Sequence, residues 1–334
     1  MNKKPFIVAV VGPTASGKSD AAIDLCRALN GEAVSMDAMQ VYRGMRVGTA
    51  RIQPWQWRGV PHHALSYVPP DEPYSVAEYT RDSLPIINDI LARGKLPVLV
   101  GGTGLYLSAI RYPMQFARTE ADSVLRAQLE SMDSQSLHNR LLDLDPATAR
   151  RLPLGDRRRM IRAIEITLTT GTPMSMLKDS VEERFTTLTL GIDVPRELLI
   201  QRIVQRTDAM LDAGLVDEVR FLLRCGLPVS AQSMQAIGYK ETAQALAEGW
   251  PRERLREAIV IRTRQYAKRQ MTWFRAVEGI KWFEWEGAAE RMADAVFNLI
   301  DTHRTVITPE SYIDSTGDRM GVRAHYRREM IKEV

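Results

Sequence analysis

Residues 6–19 read FIVAVVGPTASGKS and decide the fold class of this chain. Phe6–Val11 is a continuous apolar run, which is typical of a strand that is buried on both faces of a sheet. The next stretch, Gly12–Ser19, fits the pattern G-x-x-x-x-G-K-[ST], and a helix is predicted from about Lys18 to Leu29. A strand, a glycine-rich loop and a helix in this order predict a parallel α/β sheet that binds an anion at the loop.

The loop residues have separate expected roles in holding the anion. Backbone N–H groups of the loop and the helix N-terminus point toward the ligand, and glycine lets the ligand approach the backbone closely. The Lys18 ammonium adds a positive charge, and the Ser19 hydroxyl is placed to bind Mg²⁺. The pattern indicates a diphosphate or polyphosphate without saying which. The residues predicted to bind it are Gly12, Thr14, Ala15, Ser16, Gly17, Lys18 and Ser19.

Two further predicted strands end in polar residues. Ala33–Met36 ends at Asp37, and Leu96–Val100 runs into Gly101–Gly104, which contains Thr103. Because ligands of doubly wound sheets bind beyond the carboxyl ends of the strands, we expect these residues near the phosphate loop. Asp37 is a candidate general base or magnesium ligand, although a lone Asp also serves as a turn or N-cap residue. The glycines would let the backbone approach a ligand, to which the Thr103 hydroxyl would donate.

The pattern along the chain predicts an α/β fold with a P-loop NTPase-like parallel sheet core, a helical insertion domain and a helix-rich C-terminal half. The first part alternates strands and helices, including a helix from about Ser83 to Arg93, and one more core strand is predicted at Thr187–Ile192. The predicted regions are the first part of the core at 1–112, the helical insertion at 113–185, the completed core with basic helices at 186–302, and a polar, partly disordered tail at 303–334.

Composition excludes several classes of protein. Of 334 residues, 45% are hydrophobic and 26% are charged, which excludes a collagen-like or wholly disordered chain. No apolar run approaches the roughly 20 residues that span a bilayer, and the N-terminus shows no signal peptide. Cys26 and Cys225 form neither a disulfide framework nor a metal-ligand pattern, and both are expected to be buried. We expect a cytoplasmic protein without membrane contact that acts as a monomer.

Two segments are strongly basic, although the formal charge of the chain is only +4. Residues 150–162 hold six arginines and one acid, and residues 252–275 hold eight cations and two acids. Tyr266, Trp273 and Phe274 lie in the second segment and could stack on bases or pack in the core. Either segment could also be a solvated helix face, and the first could be an arginine lid over phosphates. Beside a phosphate loop, the two segments favour RNA or a nucleotide as partner.

These residues together resemble the tRNA dimethylallyltransferase (tRNA isopentenyltransferase) family, bacterial type. Ser19 stands where the family usually has Thr, and Ala38 stands where it commonly has Ser. The matching stretches follow in family order and are GPTASGKS at 12–19, DAMQVY at 37–42, GTA at 48–50, PHH at 61–63, YSVA at 74–77, GGTGLY at 101–106, IGYKE at 237–241 and TRQYAKRQMTWFR at 263–275.

The resemblance implies transfer of a dimethylallyl group from dimethylallyl diphosphate to the N6 amine of adenosine 37 of tRNA, immediately 3′ of the anticodon. It implies that the phosphate loop binds the diphosphate of the donor, not ATP. Asp37 accepts the amine proton, and Thr103 hydrogen-bonds the donor near its bridging oxygen. Lys18, with Mg²⁺ on Ser19, stabilises the departing diphosphate.

The resemblance also implies tRNA contacts in several parts of the chain. The target base would be flipped out of its stack to reach the edge of the sheet. The implied contacts are Asp37, Ala38, Met39, Gln40, Thr103, Arg126, Arg158, Arg159, Met160, Ile161, Arg162, Gln235, Gly238, Tyr239, Lys240, Lys268, Arg269, Gln270, Trp273 and Arg275.

Three alternatives stay open at this point. An ATP-dependent small-molecule or nucleotide kinase would use the same loop with an arginine lid. A prenyltransferase acting on free AMP or ADP would need the same catalytic residues, but it would not need two long basic segments. An RNA-binding protein would carry the phosphate loop as a vestige.

Overall fold

The computed structural model describes residues 4–114, 122–177, 182–284, 286, 291–296 and 298. The described residues divide into two compact units: a core unit from Met1–Ile110 and Phe185–Val334, and an insertion unit from Arg111–Arg184. The predicted tail at 303–334 lies outside the described residues. Within the described ranges, no helix is long and apolar enough to cross a membrane.

The core unit contains a parallel sheet whose six described strands run in the order β3-β2-β4-β1-β5-β6. This confirms the predicted α/β fold with a parallel sheet. The central strand β1 is flanked by β4 and β5, which explains why its sequence is continuously apolar. The strands are β1 Phe6–Val11, β2 Gly31–Ser35, β3 His62–His63, β4 Leu96–Gly101, β5 Thr186–Asp193 and β6 Lys281–Glu284.

Helices connect the strands and cover the sheet. In the core unit they are α1 Lys18–Ala28, α2 Val76–Ala92 and α3 Gly104–Arg111, the last reaching the first residue of the insertion unit, and later α8 Arg196–Asp212, α9 Leu215–Arg224, α10 Tyr239–Glu248 and α11 Arg252–Arg275. In the insertion unit they are α4 Ser123–Ser131, α5 Ser134–Leu144, α6 Pro146–Arg151 and α7 Arg157–Thr170.

Strand β1 separates two apolar clusters because its side chains alternate between the faces of the sheet. Ile7, Ala9 and Val11 pack into one cluster with side chains from α2, α3 and α9–α11. Phe6, Val8 and Val10 pack into the other, with α1 and residues 292–296. Since all strands are parallel, β1, β2 and β4 end at the same edge of the sheet, and their loops meet there.

Helix α2 begins earlier than the prediction of Ser83. It starts after Ser75, whose hydroxyl accepts a hydrogen bond from the Ala77 N–H while the Glu78 side chain accepts one from the Ser75 N–H. This capping box is a strong start signal, and it places Pro85 inside the helix. The predicted start at about Ser83 was therefore wrong.

Other differences from the sequence prediction concern short elements and one cysteine. Strands β3 and β6 were missed because two and four residues carry too little periodicity. Cys26 is buried, as expected, but Cys225 is exposed because it caps the C-terminal end of α9.

The helices of the insertion unit each begin after an aspartate. The carboxylates of Asp122, Asp133, Asp145 and Asp156 accept hydrogen bonds from backbone N–H groups in the first turns of α4, α5, α6 and α7. An acidic cap satisfies otherwise unpaired N–H groups and complements the positive end of the helix dipole. The helices enclose a small apolar core of their own.

Candidate active site

The phosphate loop joins β1 to α1 in the predicted way. Gly17 precedes α1 with a φ of 85°, a left-handed conformation that glycine adopts without strain. Lys18 Nζ donates to the Pro13 carbonyl at 3.2 Å and so lies along the loop. Thr14, Lys18 and Ser19 line a small polar cavity of about 70 Å³. The loop therefore has the shape and polarity of an anion site.

Two cations face this cavity. The side chains of Lys18 and Arg206 both line it, and Arg206 comes from α8. Burial and the nearby Arg206 charge lower the pKa of Lys18 to about 8, which Asp37 partly offsets. Burial also lowers the pKa of Arg206, again opposed by Asp37. Two like charges held together out of water favour the binding of an anion between them.

Asp37 lies at the end of β2 and lines the same cavity. Its Oδ1 accepts hydrogen bonds from the backbone N–H groups of Met39, at 2.9 Å, and Gln40, at 3.3 Å. These bonds fix the orientation of the side chain, and neither of them uses Oδ2. The turn interpretation and the catalytic interpretation of Asp37 are thus compatible, because one oxygen shapes the turn.

Thr103 lies at the end of β4 and is tied to the loop after β2. Its Oγ1 accepts from the Ala38 N–H at 3.2 Å, and its own N–H donates to the Met36 carbonyl at 3.2 Å. Tyr266 of α11 lines the same cavity as Asp37, and burial raises the pKa of Tyr266 to about 12. The phenol therefore stays protonated near neutral pH.

The glycines of residues 101–104 have a different purpose from the one predicted. A Cβ at Gly102 would lie 2.0 Å from Gln270 Nε2, and a Cβ at Gly104 would lie 2.2 Å from the Trp273 ring. These two glycines make room for α11 instead of for a ligand. Gly101 lines the small cavity, and a Cβ there would lie 2.2 Å from the Met36 carbonyl oxygen, so this glycine makes room for the residue that follows β2.

A second cavity, of about 300 Å³, adjoins the first. The two share Thr14, Asp37, Arg206 and Tyr266 as lining residues. The larger cavity has a more apolar wall, with Met39, Ala38, Ile203, Met210, Ala236, Ile237 and Ile259 among its residues. A carboxylate and a phenol thus stand where a polar cavity meets a roomier apolar one.

The predicted tRNA contacts in the core unit fall into two groups. Ala38, Met39, Gln235 and Arg269 line the larger cavity, and Gln40 lines the smaller one. Gly238 and Tyr239 are buried, and the Gly238 N–H donates to Glu241 Oε2. Gln270 makes two hydrogen bonds to backbone groups. Gly238 and Tyr239 therefore offer no side-chain surface to RNA. Gln270 lines the small cavity and is held by its two backbone partners.

Tyr239 illustrates the correction. Its side chain is fully buried, its ring lies where a Cβ of Gly48 would be, and its hydroxyl accepts from the Gly48 N–H at 3.2 Å. The aromatic ring therefore supports the 46–49 loop. This loop supplies the Thr49 carbonyl, to which Gln40 and Arg206 donate, each at 3.3 Å.

The cations of α11 divide between its two ends. In the N-terminal half, Arg252 pairs with Asp212 and Arg256 pairs with Asp208. In the C-terminal half, Arg264 and Lys268 are exposed, and Arg275 is exposed and lies 3.9 Å from Asp193. Lys240, on α10, is also exposed.

The predicted contacts of the insertion unit are only partly available. Met160 and Ile161 are buried in its apolar core, so their side chains cannot bind RNA. Arg126 makes two 2.7 Å hydrogen bonds to the buried carboxylate of Glu165, which Arg162 also approaches at 3.4 Å. Arg158 and Arg159 are exposed.

Sequence reasoning missed Arg206 as a functional residue. Arginines are frequent in this chain, and no local motif marks this one. The available signal was helical: Ile203, Thr207 and Met210 share its side of α8, and Arg206 is a cation on that largely apolar face. Because arginine is rarely buried without a partner, a cation on a core-facing stripe indicates a structural or functional role.

Comparison with known proteins assigns the chain to a protein family. A family model described as IPP transferase matches residues 40–277. The chain belongs to the IPP transferase family. Among its relatives, the tRNA dimethylallyltransferase of Geobacter sulfurreducens is 43% identical over 289 residues, 84% of this chain and 93% of the relative. That of Pelotomaculum thermopropionicum is 40% identical over 294 residues, 86% and 94% of the two chains.

Solved structures agree with this family. The tRNA isopentenylpyrophosphate transferase from Bacillus halodurans matches with a TM-score of 0.69 and 36% identity, over 91% of this chain and 99% of that one. A eukaryotic dimethylallyltransferase acting on tRNA matches with a TM-score of 0.78 and 29% identity, over 89% and 80% of the two chains. Membership of the IPP transferase family confirms the resemblance found in the motifs. It favours a prenyltransferase over a kinase.

Proposed function

We propose that this IPP transferase family member moves a dimethylallyl group from dimethylallyl diphosphate to the N6 amine of adenosine 37 in tRNA. The observation that carries the proposal is the position of Asp37, at the junction of a small cationic cavity and a larger, more apolar one. A diphosphate fits the first by charge. The apolar prenyl group and the flat aromatic face of an adenine base suit the second.

The diphosphate binds between the phosphate loop and Arg206. Lys18 and Arg206 supply positive charge, and the N-terminus of α1 adds N–H donors. The negative charge on the diphosphate increases as the carbon–oxygen bond of the donor breaks. Cations fixed beside the leaving group therefore stabilise the transition state more than the bound substrate.

The adenine amine gains the carbon and loses a proton. A new bond forms between N6 and C1 of the prenyl group, the C1–O bond breaks, and its electron pair leaves with diphosphate. The N6 proton goes to Asp37 Oδ2, the oxygen that the Met39 and Gln40 hydrogen bonds do not use. Thr103, held by the Ala38 N–H, contacts the donor near its bridging oxygen.

We also propose that Mg²⁺ assists the departure of diphosphate. The Ser19 hydroxyl lines the small cavity, where it offers the oxygen ligand that a hard cation prefers. The described residues hold no cluster of three His, Cys, Asp or Glu side chains that would bind a metal alone. Such an ion would therefore be held largely by the diphosphate oxygens, and it would neutralise their charge.

The tRNA partner binds, in this proposal, on the exposed cations. Arg264, Lys268, Arg269 and Arg275 of α11 are exposed, and Arg269 lines the larger cavity. Within the insertion unit, Arg158 and Arg159 are exposed as well. Phosphate contacts by such side chains bring a tRNA to the surface without reading its sequence. We propose that the protein does this as a monomer.

The proposal is tested with Asp37→Asn. Asparagine keeps an oxygen for the Met39 and Gln40 N–H groups and removes the base, so the turn stays intact. We expect transfer of labelled dimethylallyl to unmodified tRNA to fall by about 10²–10⁴-fold, with the tRNA Kd unchanged. Asp71→Asn, at an exposed carboxylate, is the matched control and should behave as wild type.

The wild-type reaction discriminates between the functions. Formation of prenylated tRNA with release of diphosphate supports the transferase. Consumption of ATP without transfer supports a kinase, and prenylation of AMP but not tRNA supports the free-nucleotide branch. A near-normal rate for Asp37→Asn would remove Asp37 as the base.

A further inference from the structure

Gln270 uses its whole side-chain amide to join two loops of the site. Its Oε1 accepts from the Thr14 N–H at 2.8 Å, and its Nε2 donates to the Gly102 carbonyl at 3.0 Å. The residue is only 6% exposed. One partner belongs to the phosphate loop after β1, and the other belongs to the loop after β4.

The link continues to the third loop. Thr103, next to Gly102, binds the Met36 carbonyl through its N–H and the Ala38 N–H through its Oγ1. A chain of hydrogen bonds therefore runs from Thr14 through Gln270 to the segment that carries Asp37. It connects the ends of β1, β4 and β2, which are neighbours in the sheet.

The packing around Gln270 is built for this link. Because Gly102 lacks a side chain, the amide reaches its carbonyl, and a Cβ there would collide with Nε2. Tyr266, one turn earlier on α11, lines both cavities. Thus the inner side of α11 reaches the site while Lys268 and Arg269 on the same helix are exposed.

We propose that Gln270 is a positioning residue that holds the phosphate loop and Thr103 at a fixed separation, so that both grip one diphosphate. The inference rests on the proposed function and replaces the predicted tRNA contact of Gln270. A buried amide with two backbone partners keeps loops in place before the ligand arrives, and misplacing reacting groups by about 1 Å can lower a rate by about 10²-fold.

The test variant is Gln270→Met, which has similar length and neither hydrogen bond. We expect the Kd for inorganic diphosphate and the KM for dimethylallyl diphosphate to rise by about tenfold, while the tRNA Kd stays within about twofold of wild type. The matched control is Thr272→Val on the same helix, where an exposed hydroxyl binds only the Lys268 carbonyl. It should leave all three constants unchanged.

A double-mutant cycle separates positioning from simple stability. Gly102→Ala pushes the amide away and should raise the same KM in the wild-type background. In a Gln270→Ala background, where no amide is left to displace, Gly102→Ala should add less than about a twofold change. This arm keeps the inference testable if Gln270→Met fails to fold.

Three results would overturn the inference. The first is an unchanged diphosphate Kd and KM in folded Gln270→Met. The second is a lower melting temperature and kcat with unchanged KM, as for a purely structural residue. The third is weaker tRNA binding with normal diphosphate binding, which would make Gln270 an RNA contact. Because diphosphate binding is measured without transfer, failure of the proposed function is seen separately, in the wild-type transfer assay.

Discussion

Two sets of cations in this molecule differ in where their charge acts. Lys18 and Arg206 face a small cavity, where burial lowers the pKa of both. Arg264 and Lys268 lie on the exposed side of α11. The first set has lost water and acts over a short distance on whatever enters the cavity. The second set keeps its water and is screened by salt within about 10 Å.

The number of charges in a segment therefore does not by itself assign a role to its cations. Buried cations favour a compact anion of fixed geometry because the surrounding protein does not need to reorganise around it. Exposed cations attract a large polyanion at many places and with little selectivity. If the comparison is correct, the two sets can be perturbed independently.

The largest expected effect is on the buried set. Arg206→Gln should lower kcat/KM for dimethylallyl diphosphate by about 10²–10³-fold, because a cation beside the leaving group is lost, and it should leave the tRNA Kd unchanged. Steady-state kinetics and filter binding measure the two effects. Arg196→Gln, at an exposed position on the same helix, is the control. Equal losses in tRNA binding and in catalysis would show that the buried and the exposed cations do not act separately.

The next effect is a pH dependence that only the buried set should show. Since the pKa of Lys18 is lowered to about 8 in the free protein, its charge is present below that pH and lost above it. We expect kcat/KM for dimethylallyl diphosphate to fall about tenfold for each pH unit above 8. The exposed arginines stay charged throughout this range, so the tRNA affinity should change much less than kcat/KM. A Lys18→Arg enzyme that keeps the same profile would assign the titration elsewhere.

The smallest expected effect is on the exposed set. Arg264→Gln combined with Lys268→Gln should weaken tRNA binding about fivefold near 0.15 M salt. It should also reduce the salt slope of log Kd by about two, because the complex that lacks two phosphate contacts releases fewer counterions. The KM for dimethylallyl diphosphate at saturating tRNA should not change. Titrations at several salt concentrations measure the slope. An unchanged slope would show that these side chains do not meet phosphates.

Local sequence was sufficient where a structure depends on neighbouring residues. The strand Phe6–Val11, the loop that follows it and the start of α1 were predicted because a short apolar run and a glycine pattern decide them. Asp37 and Thr103 were found for the same reason, since both follow strand-like runs. The aspartate caps of the insertion helices are equally local signals.

Roles that depend on distant partners were not predictable. The basic excess at 252–275 is smaller than it looks, because Arg252 and Arg256 are paired with Asp212 and Asp208 of another helix. Arg126 is likewise occupied by Glu165. Linear charge patterns cannot reveal such pairs, since the carboxylates lie about 40 residues away along the chain.

The parallel α/β core, the phosphate-loop motif and the family could be predicted from the sequence alone, because each depends on short runs of contiguous residues. Only the tertiary structure decided that Arg206 faces the phosphate loop, that Tyr239 supports the 46–49 loop and that Gln270 ties Thr14 to Gly102. These contacts join residues up to 256 positions apart. Their partners are chosen by how helices pack on the sheet, and packing is a property of the whole chain.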